Sequence, residues 1–357
     1  MAEEIAFKIS VYAKSDVGVV RTGNEDNFLV LNLSTADTWK PEGSDDSPPK
    51  GLTSFSQSHY GSLIAVTDGM GGALAGEVAS RLAVECVRDR MLELQASPAY
   101  SKFAFSERLR FSIELANLYI YQMSAKRAEY SGMGATFTAI GFSGSNAYFG
   151  QVGDSRAYMI RDGHIEQITR DQSLVGQLVE AGHLTEEEAE RHSYRNVILQ
   201  ALGASPNLNV VIDRLEIHNM DTFALCSDGL SNKVRPDEIK ASIDQSNSLK
   251  EACEELIKLA NQRGGEDNIT VLIAQVSGGR LAINDQDRTT AFLASDSGPH
   301  SFDTDSGQQR KWLERWGAET LVRNPDLPDH IDHDLLDDEE ATIPPEDTVP
   351  PTQKLDN

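Results

Sequence analysis

The sequence predicts an α+β fold in which blocks of antiparallel strands alternate with helices. Two observations carry this. Apolar runs at 135–142, 146–152, 157–161 and 164–169 are separated only by Ser143-Gly144-Ser145, Gly153-Asp154-Ser155 and Asp162-Gly163. Connections this short and glycine-containing suit antiparallel hairpins, because a parallel crossover needs a dozen or more residues. Two longer stretches, 73–95 and 106–129, lack proline and carry apolar residues near helical spacing: Val78, Leu82 and Val87 in one, Leu109, Ile113, Ala116, Ile120 and Met123 in the other.

Taken in order, 5–13 and 28–33 read as strands joined by a polar connection, Asp16 to Asn27, that holds Gly18, Arg21, Gly23, Asn24, Glu25 and Asp26. Residues 34–60 are rich in Ser, Pro, Gly and Asp and are expected to be a surface loop or insertion. Leu63 to Val66 reads as a buried strand ending at the turn Thr67-Asp68-Gly69-Met70-Gly71-Gly72. The 106–129 helix shows no Glu in capping-box register with Ser106, so its start is left open. Short helical patterns near 173–181 and 186–192 interrupt the strands, and 170–203 reads as a flap over one end of the sheet. Strands resume at 209–216 and 222–227, helices follow at 236–242 and 249–263, and the last strand covers 268–276.

Composition narrows the function. The 357 residues carry 56 acidic against 32 Lys and Arg side chains, a net charge of −24, which disfavours nucleic-acid or anionic-membrane binding and suits cations. Three separated cysteines, Cys86, Cys226 and Cys253, form no metal or disulfide pattern. The acidic start and the absence of an 18-residue apolar run point to a cytoplasmic protein with no membrane span, expected to be a monomer. Residues 278–357 hold 18 Asp and Glu against 7 Lys and Arg, a net of −11, and are expected to form a mostly disordered acidic tail after a domain at 1–277. Within the tail, Arg310 to Trp316 could form an amphipathic turn, and Thr289-Thr290 is a candidate phosphorylation site.

One device recurs. Asp68-Gly69 follows an apolar run, Asp154 follows Val152-Gly153, Asp228-Gly229 follows Phe223 to Cys226, and Asp267 sits in Gly264-Gly265-Glu266-Asp267-Asn268. Each Asp-Gly alone is also an ordinary turn. Together with Glu25-Asp26 they are hard oxygen donors suited to Mg²⁺ or Mn²⁺, not zinc. Arg21, four residues before Glu25, is a double donor for a phosphate; alternatively it pairs with Asp26 as a structural bridge.

The ordered set Arg21-x-x-x-Glu25-Asp26, Asp68-Gly69-Met70-Gly71-Gly72, Gly153-Asp154-Ser155-Arg156, Ser227-Asp228-Gly229 and Glu266-Asp267-Asn268 resembles the PPM (PP2C-type) metal-dependent protein serine/threonine phosphatases, the bacterial branch most closely. The resemblance spans residues 9 to 277. It implies a four-layer α-β-β-α sandwich of two antiparallel sheets flanked by helices, and a centre of two Mn²⁺ or Mg²⁺ ions. By position, Asp68 resembles the bridging ligand, Gly69 a carbonyl ligand, Asp228 and Asp267 ligands of the first ion, and Glu25 a ligand of the second. Asp154, together with Asp228, resembles the holder of a weaker third ion. Arg21 resembles the phosphate-binding arginine, with Asp26 supporting it.

The implied reaction is in-line attack of a metal-bridging water on phosphoserine or phosphothreonine in proteins, opposing Ser/Thr kinases. Many eukaryotic members have a proton-donating His where this chain has Met70. The competing reading is a non-catalytic regulator or scaffold on the same fold. It predicts lost ligands, and none is lost. The tail could bind a partner or be inert.

Overall fold

The structure is a computed structural model that describes residues 7–41, 47–71, 75–97 and 103–278. Gly72, the acidic tail with Thr289-Thr290 and Arg310 to Trp316, and residues 42–46 of the expected loop lie outside the described residues.

Thirteen strands are described: β1 (Lys8–Asp16), β2 (Asp26–Asn32), β3 (Thr38–Trp39), β4 (Ser54–Ser56), β5 (Ser62–Met70), β6 (Gly134–Ala135), β7 (Phe137–Ser143), β8 (Asn146–Val152), β9 (Arg156–Arg161), β10 (His164–Gln167), β11 (Val211–Glu216), β12 (Thr222–Cys226) and β13 (Ile269–Ser277). One sheet runs β10-β9-β12-β13-β1-β4, the other β11-β8-β7-β5-β2-β3 with β6 on the end of β5. Their pairings are antiparallel. Two of the three short connections close hairpins as expected, β7 with β8 and β9 with β10, but Gly153-Asp154-Ser155 does not: β8 and β9 belong to different sheets, and this connection carries the chain from one sheet to the other.

The helices are α1 (Ala75–Ala96), α2 (Phe105–Lys126), α3 (Leu174–Glu180), α4 (Glu186–Glu190), α5 (Asp228–Ser231), α6 (Pro236–Gln245) and α7 (Leu249–Gln262). α1 and α2 cover the second sheet, and α6 and α7 cover the first. The four-layer sandwich is therefore as expected. Among the described residues no helix is long and apolar enough to cross a membrane.

Period-two alternation explains why the central strands read as unbroken apolar runs: both faces are covered. In β12, Phe223 and Leu225 face the inter-sheet core, while Ala224 and Cys226 face α6 and α7. In β13, Leu272, Ala274 and Val276 face inward, while Val271 and Ile273 meet Leu256, Ile257 and Ala260 of α7. Cys226 and Cys253 behave as small buried apolar residues, and Cys86 is half-buried.

Three further expectations are corrected. The 34–60 segment is in part a core element. It supplies edge strands to both sheets, and Trp39 is buried edge-on against Tyr12 and Phe28. Its few apolar residues are too widely spaced among polar ones to show a period. The strand at 63–66 does not stop before Asp68; β5 continues through Met70, because Gly69 and Met70 pair with β6. α2 begins at Phe105, one residue earlier than the pattern, and Glu107 reaches back to accept the Ala104 N–H at 2.9 Å. That Glu fills the role a capping box assigns to the third helical position.

Candidate metal and phosphate site

Strand pairing brings residues distant in sequence to one end of the sandwich. β2 begins at Asp26, and its register with β5 places Asp26 opposite Asp68. β1 and β13 pair along their whole length, with Asp16 opposite Ile269. The loop leaving β1, which carries Arg21 and Glu25, therefore lies against the loop entering β13, which carries Asp267. The Val19 N–H donates to the Gly265 carbonyl at 2.8 Å between them. β12 runs between β9 and β13, with Cys226 opposite both Arg156 and Val271. Asp228, just past β12, and Asp154, just ahead of β9, reach that same end.

The backbone of Asp68 is fixed by its neighbours. Its N–H donates to Thr136 Oγ1 at 2.9 Å, and the Thr136 N–H donates to the Asp68 carbonyl at 2.8 Å. Thr136 Oγ1 in turn shares a hydrogen bond of 2.7 Å with Ser155 Oγ, and Thr67 Oγ1 donates to the Thr136 carbonyl at 2.6 Å. These bonds are made by backbone and hydroxyl groups, so none of them engages the Asp68 carboxylate.

The carboxylates are close enough to raise one another. Burial holds Asp68 well above the usual carboxylate range, and the charges of Asp26, Asp228, Asp154 and Asp267 add to this. Asp228 is raised by burial and by Asp267, partly offset by hydrogen bonding to Asp68 and Asn232. Asp154 is pushed up to about 7 by burial, Asp228 and Asp171. Asp26 is pushed up to about 7 by burial, with the Ser227 and Thr270 hydroxyls pulling it back. Glu25 is raised by burial, while Arg21 opposes the shift and Asp267 and Glu77 reinforce it.

Such a group of anions stays charged at neutral pH only if cations offset it. The donor chemistry fits a hard divalent ion: all the donors are oxygens, and Asp228 Oδ1 is buried with no hydrogen-bond partner among the described residues. Among the described residues, however, no three His, Cys, Asp or Glu side chains are gathered tightly enough to form a closed cage. The arrangement is a set of neighbouring carboxylates, not a finished coordination sphere.

Glu25 rests on the start of α1. A Cβ on Gly76 would lie 2.7 to 2.9 Å from the Glu25 carboxyl atoms, and a Cβ on Gly69 would run into the Gly76 carbonyl. The Gly69 N–H donates to the Glu25 carbonyl at 3.0 Å. Two glycines thus let strand, loop and helix approach within contact distance.

Arg21 does not pair with Asp26. Its guanidinium lies on Asp267, 3.0 Å from Oδ1 and 3.1 Å from Oδ2. Asp26 instead accepts a 2.6 Å hydrogen bond from Ser227 Oγ in the interior. The reason is depth: Asp26 is buried, whereas Arg21 and Asp267 are 48% and 40% exposed. An ion pair that open is weak, so the guanidinium can readily exchange it for a phosphate.

The start of the 170–203 segment, expected to be a flap, is tied to the same end. Arg156 grips Asp171 at 2.7 to 3.1 Å through Nε and Nη2. Gln172 Oε1 accepts the Gly153 N–H at 2.8 Å, and Gln151 bonds both backbone groups of Arg170. The two helical patterns of that segment are α3, capped by Ser173, and α4, capped by Thr185.

The six acidic residues and Arg21 named from sequence all reach this end, and Gly69 lies between Glu25 and α1. Missed were Thr136, Ser155, Ser227, Gly76, Glu77 and Asp171. Hydroxyls and glycines carry no distinctive sequence signal. Ser155 beside Asp154, Ser227 beside Asp228, and Asp171 between Arg170 and Gln172 stand in stretches that the sequence marks out, but the sequence gives them no role.

Comparison with known proteins gives the family. A family model described as protein phosphatase 2C matches residues 51–270. A serine/threonine phosphatase, stp, of Listeria welshimeri is 33% identical over 262 residues, covering 73% of this chain and 94% of that protein. The crystal structure of the Mycobacterium tuberculosis serine/threonine phosphatase PstP superposes with a TM-score of 0.60 at 32% identity, covering 76% of this chain and 99% of that one. The catalytic domain of PstP in complex with two manganese ions matches equally, with a TM-score of 0.60, 32% identity and the same coverage, 76% and 99%. The chain belongs to the protein phosphatase 2C family and, within it, to the bacterial PPM-type serine/threonine phosphatases.

Proposed function

We propose that this chain hydrolyses phosphoserine and phosphothreonine in cytoplasmic proteins with two Mn²⁺ or Mg²⁺ ions, and so opposes Ser/Thr kinases. The observation that carries the reading is the arrival of Glu25, Asp68, Asp154, Asp228 and Asp267, from five separate segments, at the end of the sandwich where Arg21 is exposed. A scaffold that had lost catalysis has no need to keep five like charges together against their repulsion.

When bound, a pair of divalent ions supplies a nucleophilic water at neutral pH and neutralises phosphate charge. Asp68, Asp228 and Asp267, with Glu25 and the Gly69 carbonyl, are the residues that would hold the pair. Asp154 would hold a weaker third ion. Arg21 leaves Asp267 to take two phosphate oxygens and orient the ester for in-line attack. The thioether of Met70 has no proton to give, so this side chain does not protonate the leaving serine or threonine oxygen. In this reading residues 1–277 are the catalytic domain, the flap at 170–203 governs access, and the acidic 278–357 segment engages a basic partner.

The test is hydrolysis of a phosphothreonine peptide with Mn²⁺ against EDTA. The wild-type chain should require the metal, and Asp68→Ala and Asp228→Ala should be inactive while folded by circular dichroism. Full activity in metal-loaded Asp68→Ala would sink the two-ion reading.

A further inference from the structure

Asn268 is 3% exposed, and its side chain makes three hydrogen bonds, all to backbone of the loop between β1 and β2. Oδ1 accepts the Glu25 N–H at 2.8 Å. Nδ2 donates to the Val17 and Gly23 carbonyls, each at 2.9 Å. The donor and acceptor pattern admits one amide orientation, since the flipped one would set oxygen against two carbonyls and nitrogen against an N–H. The bonds fall near both ends of the segment that carries Arg21 and Glu25.

The backbone of Asn268 meets one further carboxylate and the turn that follows another. Its N–H donates to Asp267 Oδ1 at 2.9 Å, and its carbonyl lies so close over Gly229 that no Cβ fits there, which seats it on the turn that starts with Asp228. One buried residue therefore touches the segments bearing Arg21, Glu25, Asp228 and Asp267.

We propose that Asn268 is a positioning residue that sets the Arg21–Glu25 loop in register with the Asp228 and Asp267 segments. It touches no substrate. Arg21 is half-exposed and, among the described residues, its guanidinium is held by a weak pair with Asp267, so its aim at a phosphate depends on how firmly its own backbone is fixed. The Asn268 amide supplies that fixation from the interior, and exposed Val19 and Val20 add little burial to the loop. The substrate part of this inference rests on the phosphatase reading; the clasp itself does not.

The experiment uses the full chain with Asn268→Ala, and with Asn268→Ser as a second variant whose short hydroxyl cannot span the three partners. Hydrogen–deuterium exchange is read first. Amides 18–25 should exchange at least tenfold faster in both variants, with β2 and β5 unchanged. With Mn²⁺ and para-nitrophenyl phosphate, KM and the inhibition constant for inorganic phosphate should rise more than kcat falls, for a total loss in kcat/KM of roughly 10- to 100-fold, the scale seen when a ligand's hydrogen-bond support is removed. Unchanged exchange in 18–25, or a fall in kcat with KM and the phosphate inhibition constant both unchanged, overturns the proposal. So does global unfolding of both variants, which would make Asn268 a residue of the fold. If the wild-type chain neither hydrolyses the ester nor binds phosphate, the phosphatase reading fails while the exchange data still decide the clasp.

Discussion

Asp26 and Asp68 stand directly opposite each other on adjacent antiparallel strands. Two acidic residues in facing positions repel, and like charges across a strand pair destabilise it. Here Asp26 is stabilised by the Ser227 hydroxyl at 2.6 Å, while Asp68 is raised by burial and by four other aspartates. The pair is tolerated because Asp26 serves the interior and Asp68 serves the site.

Asp68→Asn should make that division measurable without an activity assay. Removing the charge relieves repulsion, so the metal-free variant should melt at or above the wild-type temperature. Wild type should gain about 2.7 kcal/mol at 100 times the Mn²⁺ dissociation constant, roughly 5–11 °C in melting temperature for a domain of this size. The variant should lose most of that gain. Differential scanning calorimetry with and without Mn²⁺ reads both effects, and an intact metal-induced shift in the variant would count against Asp68 as a ligand.

Gly76→Ala should separate stability from activity. Within a helix the change favours folding by up to about 1 kcal/mol. The added Cβ would press on the Glu25 carboxyl, the movable end of a side chain, at 2.7 to 2.9 Å. The expected result is an unchanged or slightly raised melting temperature with a clear loss of Mn²⁺-dependent turnover. Gly69→Ala, whose Cβ would strike backbone, should instead lose about 1–3 kcal/mol or more of stability. Urea unfolding distinguishes the two.

Glu114 on α2 should tune stability with pH from outside the site. Burial raises its carboxyl from 4.5 to about 7, against the opposing charge of Arg110 one turn earlier, whose Nη1 is engaged by the Val210 carbonyl at 3.1 Å. Below about pH 4.5 the group is protonated in folded and unfolded chains alike and leaves stability untouched. Between 4.5 and about 7 the unfolded chain ionises while the folded one stays neutral, so stability falls with rising pH and the loss levels off above 7. Glu114→Gln should match wild type near pH 4 and exceed it by about 1–3 kcal/mol at pH 8. Denaturant melts at the two pH values check this; equal stabilities at pH 8 would refute it.

Much of the site is legible in the sequence because its chemistry is local. An Asp beside Gly after an apolar run is visible there, and repetition of that device separates it from ordinary turns. The supporting groups are not legible, for the opposite reason. Thr136, Ser155 and Ser227 are common residues whose role lies in partners 19 to 201 positions away. The end of β5 differs from the sequence pattern because Asp-Gly signals a turn locally, while pairing with β6 keeps the chain extended. Trp39 reads as loop because a single buried aromatic has no period.

Side-chain periodicity, turn chemistry and charge act over a few residues. The alternation of strands and helices, the hairpins β7-β8 and β9-β10, and the identity of the acidic residues and Arg21 are therefore written in the chain itself. Two relationships are not: that Arg21 lies on Asp267 rather than on Asp26, and that Asn268 clasps the loop carrying Glu25. Both depend on β1 and β13, the first and last strands described, pairing along their full length. Which carboxylate lies at the surface, and which backbone carbonyls a buried amide must satisfy, is fixed by that register and has no trace in the local sequence.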